Sequence, residues 1–437
     1  MQTFTKQNRP DFAKDESGGT TAFGLFLIAS SLLVGGYAVD VGNVMTARTQ
    51  LQIAADTAAH AALLTRETKT ESDSIAAARD IALANMPGDI FGTVLRDADV
   101  QFGEFDPATG SFSRVSGARD AVWVQTRQQA DNGNPISTYL LKLVGFKEWN
   151  ITTQSIFMTY HPTCLREGFV AEEVVDLQSN NSFVNGFCIH SNSYVSLNSN
   201  NFFEPGTVVS MPDEDKIELP NSGFKTNLGL QEALRSGSWN IRIVSRIDEL
   251  IADLEVYGSR QMPAYITSGA AVKLANRNVQ QEHLIPGRIH RFTCGGGAAL
   301  TIKQNVIMDK VVLLTNCKVK FEQGVILTDT VVATRDTSAH SVTSAASLQV
   351  GRNDNCAEGG GAQIVTLGSM NFPSDLQIYG GQLLAVHDIA FAANANGIQG
   401  AAVVAGGLIS GTSNMEMGFC GTGMENNFHA EYFKLVH

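Results

Sequence analysis

Cysteine is the residue type whose number and spacing carry the most chemical information in this sequence. An even number of cysteines on one side of an apolar segment is typical of an oxidising compartment with disulfides. We predict sequential pairing, and six buried free thiols are the alternative. The six residues, none of which forms a Cys-x-x-Cys pair, are Cys164, Cys188, Cys294, Cys317, Cys356 and Cys420.

Patterns that support catalysis are absent from the sequence. It contains no Gly-x-Ser-x-Gly elbow, His-Glu-x-x-His helix, P-loop or strand-linked Gly-x-Gly-x-x-Gly. His190, His283 and His290 fall in predicted strands or loops, where we expect surface or capping residues. The acidic run 213–215, and Asp354 with Glu358, lie among turn formers and are interpreted as solvated loops. We predict no catalytic residue, cofactor or metal, and a protein that is not an enzyme.

The composition limits the class of protein further. The chain has 437 residues with a formal net charge of -12, which argues against a nucleic-acid partner. Hydrophobic residues make up 43% and charged residues only 17%, so a sizeable core is expected. The 41 glycines and 11 prolines favour β-structure with many tight turns.

One apolar segment near the N-terminus is long enough to cross a bilayer. Residues 17–39 carry no charge, and about 20 apolar residues span the hydrocarbon core as a helix. We predict an uncleaved membrane helix over 20–40, with a cleaved signal peptide as the alternative. Lys6, Arg9 and Lys14 precede it, whereas only Arg48 follows before residue 66. This bias predicts a single-pass inner-membrane protein with residues 1–19 in the cytoplasm and the bulk in the periplasm.

The helical pattern continues beyond the membrane segment. Residues 40–66 contain no proline and one glycine, Gly42, and are rich in alanine, the best helix former. A stripe of small residues at helical spacing allows a second helix or a sheet to approach closely. We expect one long helix, or two helices broken near Gly42. The stripe consists of Leu51, Ala54, Ala55, Ala58, Ala61 and Ala62.

This part of the sequence resembles a known family. An acidic-Gly element ends at Gly18, the apolar run ends at Asp40-x-Gly42, and a motif of Arg, Leu, Gln and Ala-Ala-Asp follows. Over about 50 residues this resembles the N-terminal region of TadG-like proteins of the Tad/Flp pilus assembly system. The motif residues, for which the resemblance implies interaction roles, are Asp40, Gly42, Arg48, Leu51, Gln52, Ala54, Ala55 and Asp56.

The segment after the helix completes a pilin-like α+β domain over 41–163, as the resemblance also implies. A second helix is predicted over 72–85, strands over 100–105, 121–126 and 151–159, and a short helix over 136–144 capped by Ser137. Neither Gly18 nor Gly19 is followed by Glu five residues later, so we expect no prepilin-type cleavage. At the membrane exit, Asp40 is expected to meet a partner protein or solvent.

The remaining sequence, 164–437, has a different texture. Short β-runs alternate with Asn, Gly and Ser turns, at a loose period of about 20 residues. This predicts a mainly-β domain, a parallel β-helix or solenoid stapled by disulfides, with a β-sandwich as the alternative. A von Willebrand type A domain is excluded because the sequence lacks its Asp-x-Ser-x-Ser motif.

Two functional classes follow from these features. The first is a membrane-anchored periplasmic component of Tad/Flp pilus assembly, with a structural or interaction role in pilus biogenesis or surface adhesion. Its partners would be the inner membrane, other pilus-assembly proteins and, as a further candidate, cell-wall polysaccharide. The second is a membrane-tethered β-helix protein that binds or cleaves cell-envelope polysaccharide.

Overall fold

The computed structural model describes residues 18–437, and only the backbone of residues 394–396. The predicted cytoplasmic segment 1–19, with Lys6, Arg9 and Lys14, therefore lies almost wholly outside the described residues. The chain divides into two units. The first is formed by the N-terminal part up to Tyr160 together with Glu431–His437, and the second by His161–Ala430.

A single long helix dominates the first unit. Helix α1 (Gly19–Arg66) is continuous through Gly42, which confirms the prediction of one long helix and excludes the alternative of two helices broken there. Thr70 caps helix α2 (Glu71–Asn85) in a capping box with Asp73, which satisfies two amide groups at the helix start. A short helix, α3 (Gly88–Phe91), follows.

The extramembrane half of α1 packs on an antiparallel sheet with the strand order β2-β1-β3-β6-β29. Alanines on α1 and α2 form a core with Phe102, Val122 and Val124 of this sheet. The strands of the unit are β1 (Val100–Asp106), β2 (Ser111–Arg114), β3 (Ala121–Gln128), β6 (Ile151–Tyr160) and β29 (Tyr432–Leu435), with a separate hairpin of β4 (Ile136–Ser137) and β5 (Glu148–Trp149).

Two details of this unit differ from the sequence-based predictions. The predicted helix over 136–144 is instead strand β4 followed by a 3-10 helix at Leu141–Val144. The domain predicted over 164–437 does not include its last residues, because β29 pairs antiparallel with β6 and places Tyr432 opposite Tyr160. Backbone pairing across the sheet decides the position of this strand, and no local pattern encodes it.

The second unit consists of short strands in one parallel sheet. Its helices are α4 (Thr163–Arg166), α5 (Leu230–Ala233), α6 (Arg242–Ser245) and α7 (Ile247–Leu254). In chain order, its strands are β7 (Gly168–Ala171), β8 (Val175–Leu177), β9 (Ser182–Val184), β10 (Cys188–Ser191), β11 (Val195–Leu197), β12 (Phe202–Phe203), β13 (Val208–Met211), β14 (Leu234–Ser236), β15 (Ser268–Lys273), β16 (Asn278–Val279), β17 (Arg288–Phe292), β18 (Ala299–Ile302), β19 (Ile307–Thr315), β20 (Lys318–Phe321), β21 (Ile326–Thr334), β22 (Val342–Ser344), β23 (Gln349–Val350), β24 (Ala362–Thr366), β25 (Met370–Ala385), β26 (Ile389–Ala405), β27 (Ile409–Gly411) and β28 (Glu416–Gly418).

The first strands of the second unit pair at a constant spacing. Cys188 of β10 lies opposite Gly168 of β7, and Val208 of β13 lies opposite Cys188. The next two strands repeat the pattern, with β11 on β8 and β12 on β9. Each of these first steps advances the chain by 20 residues, as the period read from the sequence predicts. Later steps vary, with 19 residues between β24 and β25 and 32 residues between β21 and β24.

The order of pairing is not the order of the chain. The first strand, β7, pairs with β10 and also with β26, where Ala402 lies opposite Gly168. From β14 the ladder runs through β13, β10, β7, β26, β25, β24, β21, β19 and β17 to β15. The segment 237–267, which carries α6 and α7, connects β14 to β15. The strands at the start of the unit therefore join those at its end, through the pairing of β7 with β26.

The interior of the second unit is apolar, and asparagines line its turns. Phe183 and Phe203 stack on consecutive turns, with their ring centroids 4.8 Å apart. Buried Asn201 accepts a hydrogen bond from the backbone N–H of Asn181 (2.9 Å), and Asn227 accepts one from the N–H of Asn201 (3.2 Å). This asparagine ladder satisfies backbone donors at corners where the sheet pairing stops.

Candidate functional site

Most of the apolar motif residues on α1 pack against other parts of the same unit. Leu51, Ala54, Ala55 and Ala58 are fully buried, and all but Ala55 belong to the core formed with α2 and the sheet. Small side chains on this face let the neighbouring elements approach the helix backbone closely. The stripe therefore serves intramolecular packing, and of its six residues only Ala61 is partly exposed.

The motif residues outside this core differ in their exposure. Gln52 is half-buried and donates from Nε2 to Asp56 Oδ1 (2.8 Å) and to the carbonyl of Gln154 on β6 (3.0 Å). Gly42 and Arg48 are exposed on α1. Of the eight motif residues, these two are the ones whose exposure suits an intermolecular contact.

Asp40 is bound by its own chain. Its carboxylate accepts hydrogen bonds from the backbone N–H groups of Tyr139 (2.6 Å), Leu140 (3.0 Å) and Leu141 (2.7 Å). The residue is 1% exposed. The expectation of a partner protein or solvent at this carboxylate is therefore wrong. A loop about 100 residues away in the sequence supplies the donors that an acid at a membrane exit requires.

All six cysteines form disulfides within the second unit, in sequential order. Cys164 is bonded to Cys188, Cys294 to Cys317, and Cys356 to Cys420. The first two bridges join neighbouring turns 24 and 23 residues apart, and the third closes a separation of 64 residues. The first bridge joins helix α4 to the start of β10.

The three histidines that the sequence suggested for surface or capping positions differ in burial and in hydrogen bonding. His283 Nδ1 accepts from the N–H of Gln280 (3.1 Å), which is a capping contact. His290 caps the N–H of Ile285 through Nε2 (3.0 Å), but it is fully buried. His190 is also buried and not on the surface, and its ring nitrogens contact Ser210 Oγ and Asn192 Oδ1. Burial lowers the pKa of both His190 and His290.

The acidic groups named from the sequence lie in solvated turns. Asp213 caps the 3-10 helix Glu214–Lys216, and Asp354 accepts a hydrogen bond from Arg352 (2.6 Å). Among residues 18–437, no group of three or more His, Cys, Asp or Glu side chains is arranged to hold a metal ion.

Two polar sites were missed by the sequence reasoning. An open groove runs along β8 and β11, where Asp176 and Glu218 flank Ser196 on successive turns. A cavity of about 210 Å³ is lined by His161, Arg166 and His429, among other residues. Asp176, Ser196 and Glu218 are 20 or more positions apart in sequence, and His429 is far from His161 and Arg166, so only the strand register and the chain path bring the residues of each site together.

The buried carboxylate of Glu167 lies beside this cavity's lining. It accepts hydrogen bonds from the backbone N–H groups of Cys420 and Gly421. Burial raises the pKa of Glu167, and these two donors oppose the shift. Glu167 thus fixes the segment after the last parallel strand to the start of the unit, next to the Cys356–Cys420 disulfide.

Comparison with known proteins identifies two regions. A family model described as "Putative Flp pilus-assembly TadE/G-like" matches residues 18–79, which confirms the resemblance of the N-terminal region. A second model, described as "Domain of unknown function (DUF7867)", matches residues 168–421. No curated protein and no solved structure matches the chain.

Proposed function

Because this chain belongs to the family defined by the domain of unknown function DUF7867 and joins that domain to a TadE/G-like segment, we propose that it is a membrane-anchored component of Tad/Flp pilus assembly. The observation that carries the proposal is the TadE/G-like match over residues 18–79. This match covers all 48 residues of helix α1. In this account the protein has a structural and interaction role, without enzymatic activity.

The membrane anchor is the apolar half of α1. Helix α1 is long and apolar enough to cross a membrane, and residues such as Phe26, Leu32 and Val34 of this half are exposed. A helix with an apolar surface on all sides is suited to lipid. We propose the inner membrane as its location, with the N-terminus cytoplasmic and both units periplasmic, and the disulfides support an oxidising compartment.

The second unit is proposed to be a parallel β-helix. The support is the 20-residue advance between paired parallel strands, together with one apolar interior flanked by the asparagine ladder. A stack of this kind presents long, regular outer faces to partners. Periplasmic assembly proteins or the cell wall would be contacted through these faces, and surface adhesion is a further role of the same kind.

The groove along β8 and β11 favours a second candidate function, the binding or cleavage of cell-envelope polysaccharide. Asp176 and Glu218 lie in register on either side of Ser196. Gln178 and Asn198 extend the same groove with polar groups. Carboxylates and amides in an open groove can hydrogen-bond sugar hydroxyls. A pull-down of insoluble peptidoglycan with Asp176→Asn and Glu218→Gln variants would show whether this groove binds polysaccharide.

Deletion of the gene in the native host tests the main proposal. We expect electron microscopy to show that the deletion strain lacks pili and that the full chain restores them. A shorter form should join residues 1–160 to 431–437 through a linker, because β29 completes the sheet of the first unit. Restoration by the short form would assign assembly to the first unit. Pili that persist in the deletion strain would refute the proposal and favour the polysaccharide account.

A further inference from the structure

The loop between β4 and β5 exposes an unusual number of apolar side chains. Residues 139–146, which we call the apolar loop, have the sequence Tyr-Leu-Leu-Lys-Leu-Val-Gly-Phe. Leu143 is 79% exposed and Val144 is 58% exposed, and Tyr139, Leu140 and Phe146 are also exposed. Exposed apolar side chains are normal when scattered, but a contiguous patch marks an interaction surface.

The loop is attached to α1 at the end of the membrane segment. Asp40 accepts the three amide hydrogens of residues 139–141. One helical turn earlier, Gly36 lies directly against the loop, since a Cβ built there would be 2.9 Å from Leu140 Cβ. The absent side chain at Gly36 and the carboxylate of Asp40 thus form one seat for the loop.

The position of Gly36 and Asp40 relative to the bilayer follows from helix geometry. The uncharged stretch of α1 from Gly19 to Val39 is about 30 Å long at about 1.5 Å per residue, which matches the hydrocarbon thickness of a bilayer. Gly36 therefore lies within the last ~6 Å of the span, and Asp40 immediately follows its end. A loop held at this level projects its side chains into the same layer as the end of the helix.

Several backbone polar groups of the apolar loop are hydrogen-bonded within the protein. Besides the three amides bound by Asp40, Leu143 N–H bonds to the Leu140 carbonyl (3.1 Å), and Phe146 N–H bonds to the Leu141 carbonyl (3.1 Å). Thr138 Oγ1 donates to the carbonyl of Phe146 (2.6 Å). Each unsatisfied backbone group is costly in hydrocarbon, so these hydrogen bonds reduce the cost of placing the loop at the edge of the bilayer.

The flanking residues have the composition of a membrane interface. Lys142 and Lys147 can extend their ammonium groups towards lipid headgroups. Tyr139 and Trp149 are of the aromatic types that concentrate at the boundary between acyl chains and water. Trp149 also packs against Phe146, with their ring centroids 4.8 Å apart.

We propose that the apolar loop inserts Leu143, Val144 and Phe146 into the bilayer leaflet beside the exit of α1. The protein would then have two membrane attachments, one spanning helix and one hairpin tip, locked together by Asp40. The partner is lipid, because the surface is continuous with the lipid-facing surface of the helix. The inference rests on the proposed membrane anchorage of α1.

Spin labelling of the full chain tests the proposal. All six native cysteines are in disulfides, so a single introduced cysteine can be labelled selectively. Three variants are compared in vesicles of phosphatidylcholine and phosphatidylglycerol at low protein density: Leu143→Cys in the loop, Leu32→Cys in the span and Ser113→Cys on exposed β2. Oxygen reports lipid exposure, and a water-soluble nickel chelate reports exposure to solvent.

We expect the label at position 143 to resemble the one at 32, with high oxygen access and severalfold lower nickel access than the label at 113. Lipid exposure at 32 with water exposure at 143 would overturn the insertion and leave the anchor intact. Water exposure at 32 would instead refute the anchor itself. A label at 143 that neither reagent reaches would also overturn the proposal, because the loop would then contact protein.

A second variant separates insertion from simple hydrophobicity of the loop. Asp40→Ala removes the acceptor of three amides without touching any apolar side chain of the loop. We expect nickel access at position 143 to rise severalfold in this background, while the label at 32 remains in lipid. Unchanged access at 143 would show that Asp40 does not hold the loop, and would overturn that part of the proposal.

Discussion

The asparagine ladder makes a quantitative prediction for Asn201→Ala. The Asn201 side chain accepts from the N–H of Asn181 (2.9 Å) and donates to the Asn198 carbonyl (2.9 Å) and to Asn227 Oδ1 (3.1 Å). Truncation leaves the buried Asn181 N–H without an acceptor, at a cost of about 1–3 kcal/mol. The two lost donor bonds add up to about 1 kcal/mol each. We expect the free energy of unfolding of the second unit to fall by about 1–5 kcal/mol.

Trp239 provides the assay, because it is the tryptophan of the second unit and lies against His190, with their ring centroids 5.5 Å apart. Replacing Trp123 and Trp149 of the first unit by Phe leaves its fluorescence as the signal during urea unfolding of the detergent-solubilised chain. Asn198→Ala is the matched control, since this side chain is exposed and its loss should cost less than about 0.5 kcal/mol. Equal urea midpoints for the two variants would refute the reasoning that the ladder stabilises the turns.

Three further predictions concern packing, cross-links and protonation. Ala82→Leu should destabilise the first unit by about 1–3 kcal/mol through overpacking, measured by hydrogen exchange of α2, because Ala82 is fully buried against the core. Joint replacement of Cys294 and Cys317 by Ser should cost about 3 kcal/mol through loop entropy, measured by urea unfolding. Burial and nearby positive charge lower the pKa of His429 to about 4, so the unfolded chain takes up the proton first. Stability should therefore fall, by at most about 3 kcal/mol, as the pH drops from about 6.5 towards 4.

Each of these has its own control. Ala84→Leu introduces the same side chain at an exposed position of the same helix, and equal exchange rates for both variants would contradict the packing argument. For the disulfide, reduction of the native chain breaks all three bridges and should therefore lower the urea midpoint further than the double replacement does; an unchanged midpoint in the double replacement would contradict the loop-entropy argument. His429→Phe should flatten the pH dependence between 6.5 and 4, and an unchanged slope would show that other groups produce it.

Local pattern was enough to predict the elements that depend on nearby residues. Alanine content and the absence of proline predict α1, and the stripe around Ala54 and Ala58 predicts a closely packed face. The spacing of short β-runs predicts strands with a 20-residue advance, and the register of Cys188 opposite Gly168 agrees. These features are visible because each repeats or extends over many consecutive positions.

Features that depend on distant segments were not predictable in the same way. The apolar residues at 136–144 fit a helix, yet three amides there bond to Asp40, about 100 residues earlier, and a hairpin results. The burial of His190 depends on Ser210 in the next turn and on Trp239 beyond it. The groove that contains Asp176 and Glu218 exists only because of strand register.

The return of β29 to the sheet of the first unit has a consequence for biosynthesis. The second unit is an insertion between β6 and β29, so the edge of β6 remains open until residues 161–430 have been synthesised. A polypeptide interrupted anywhere in that insertion would keep an unpaired strand edge close to its anchor in sequence, and such edges invite aggregation and proteolysis. Completion of the membrane-anchored unit therefore reports that translation has passed through the whole insertion.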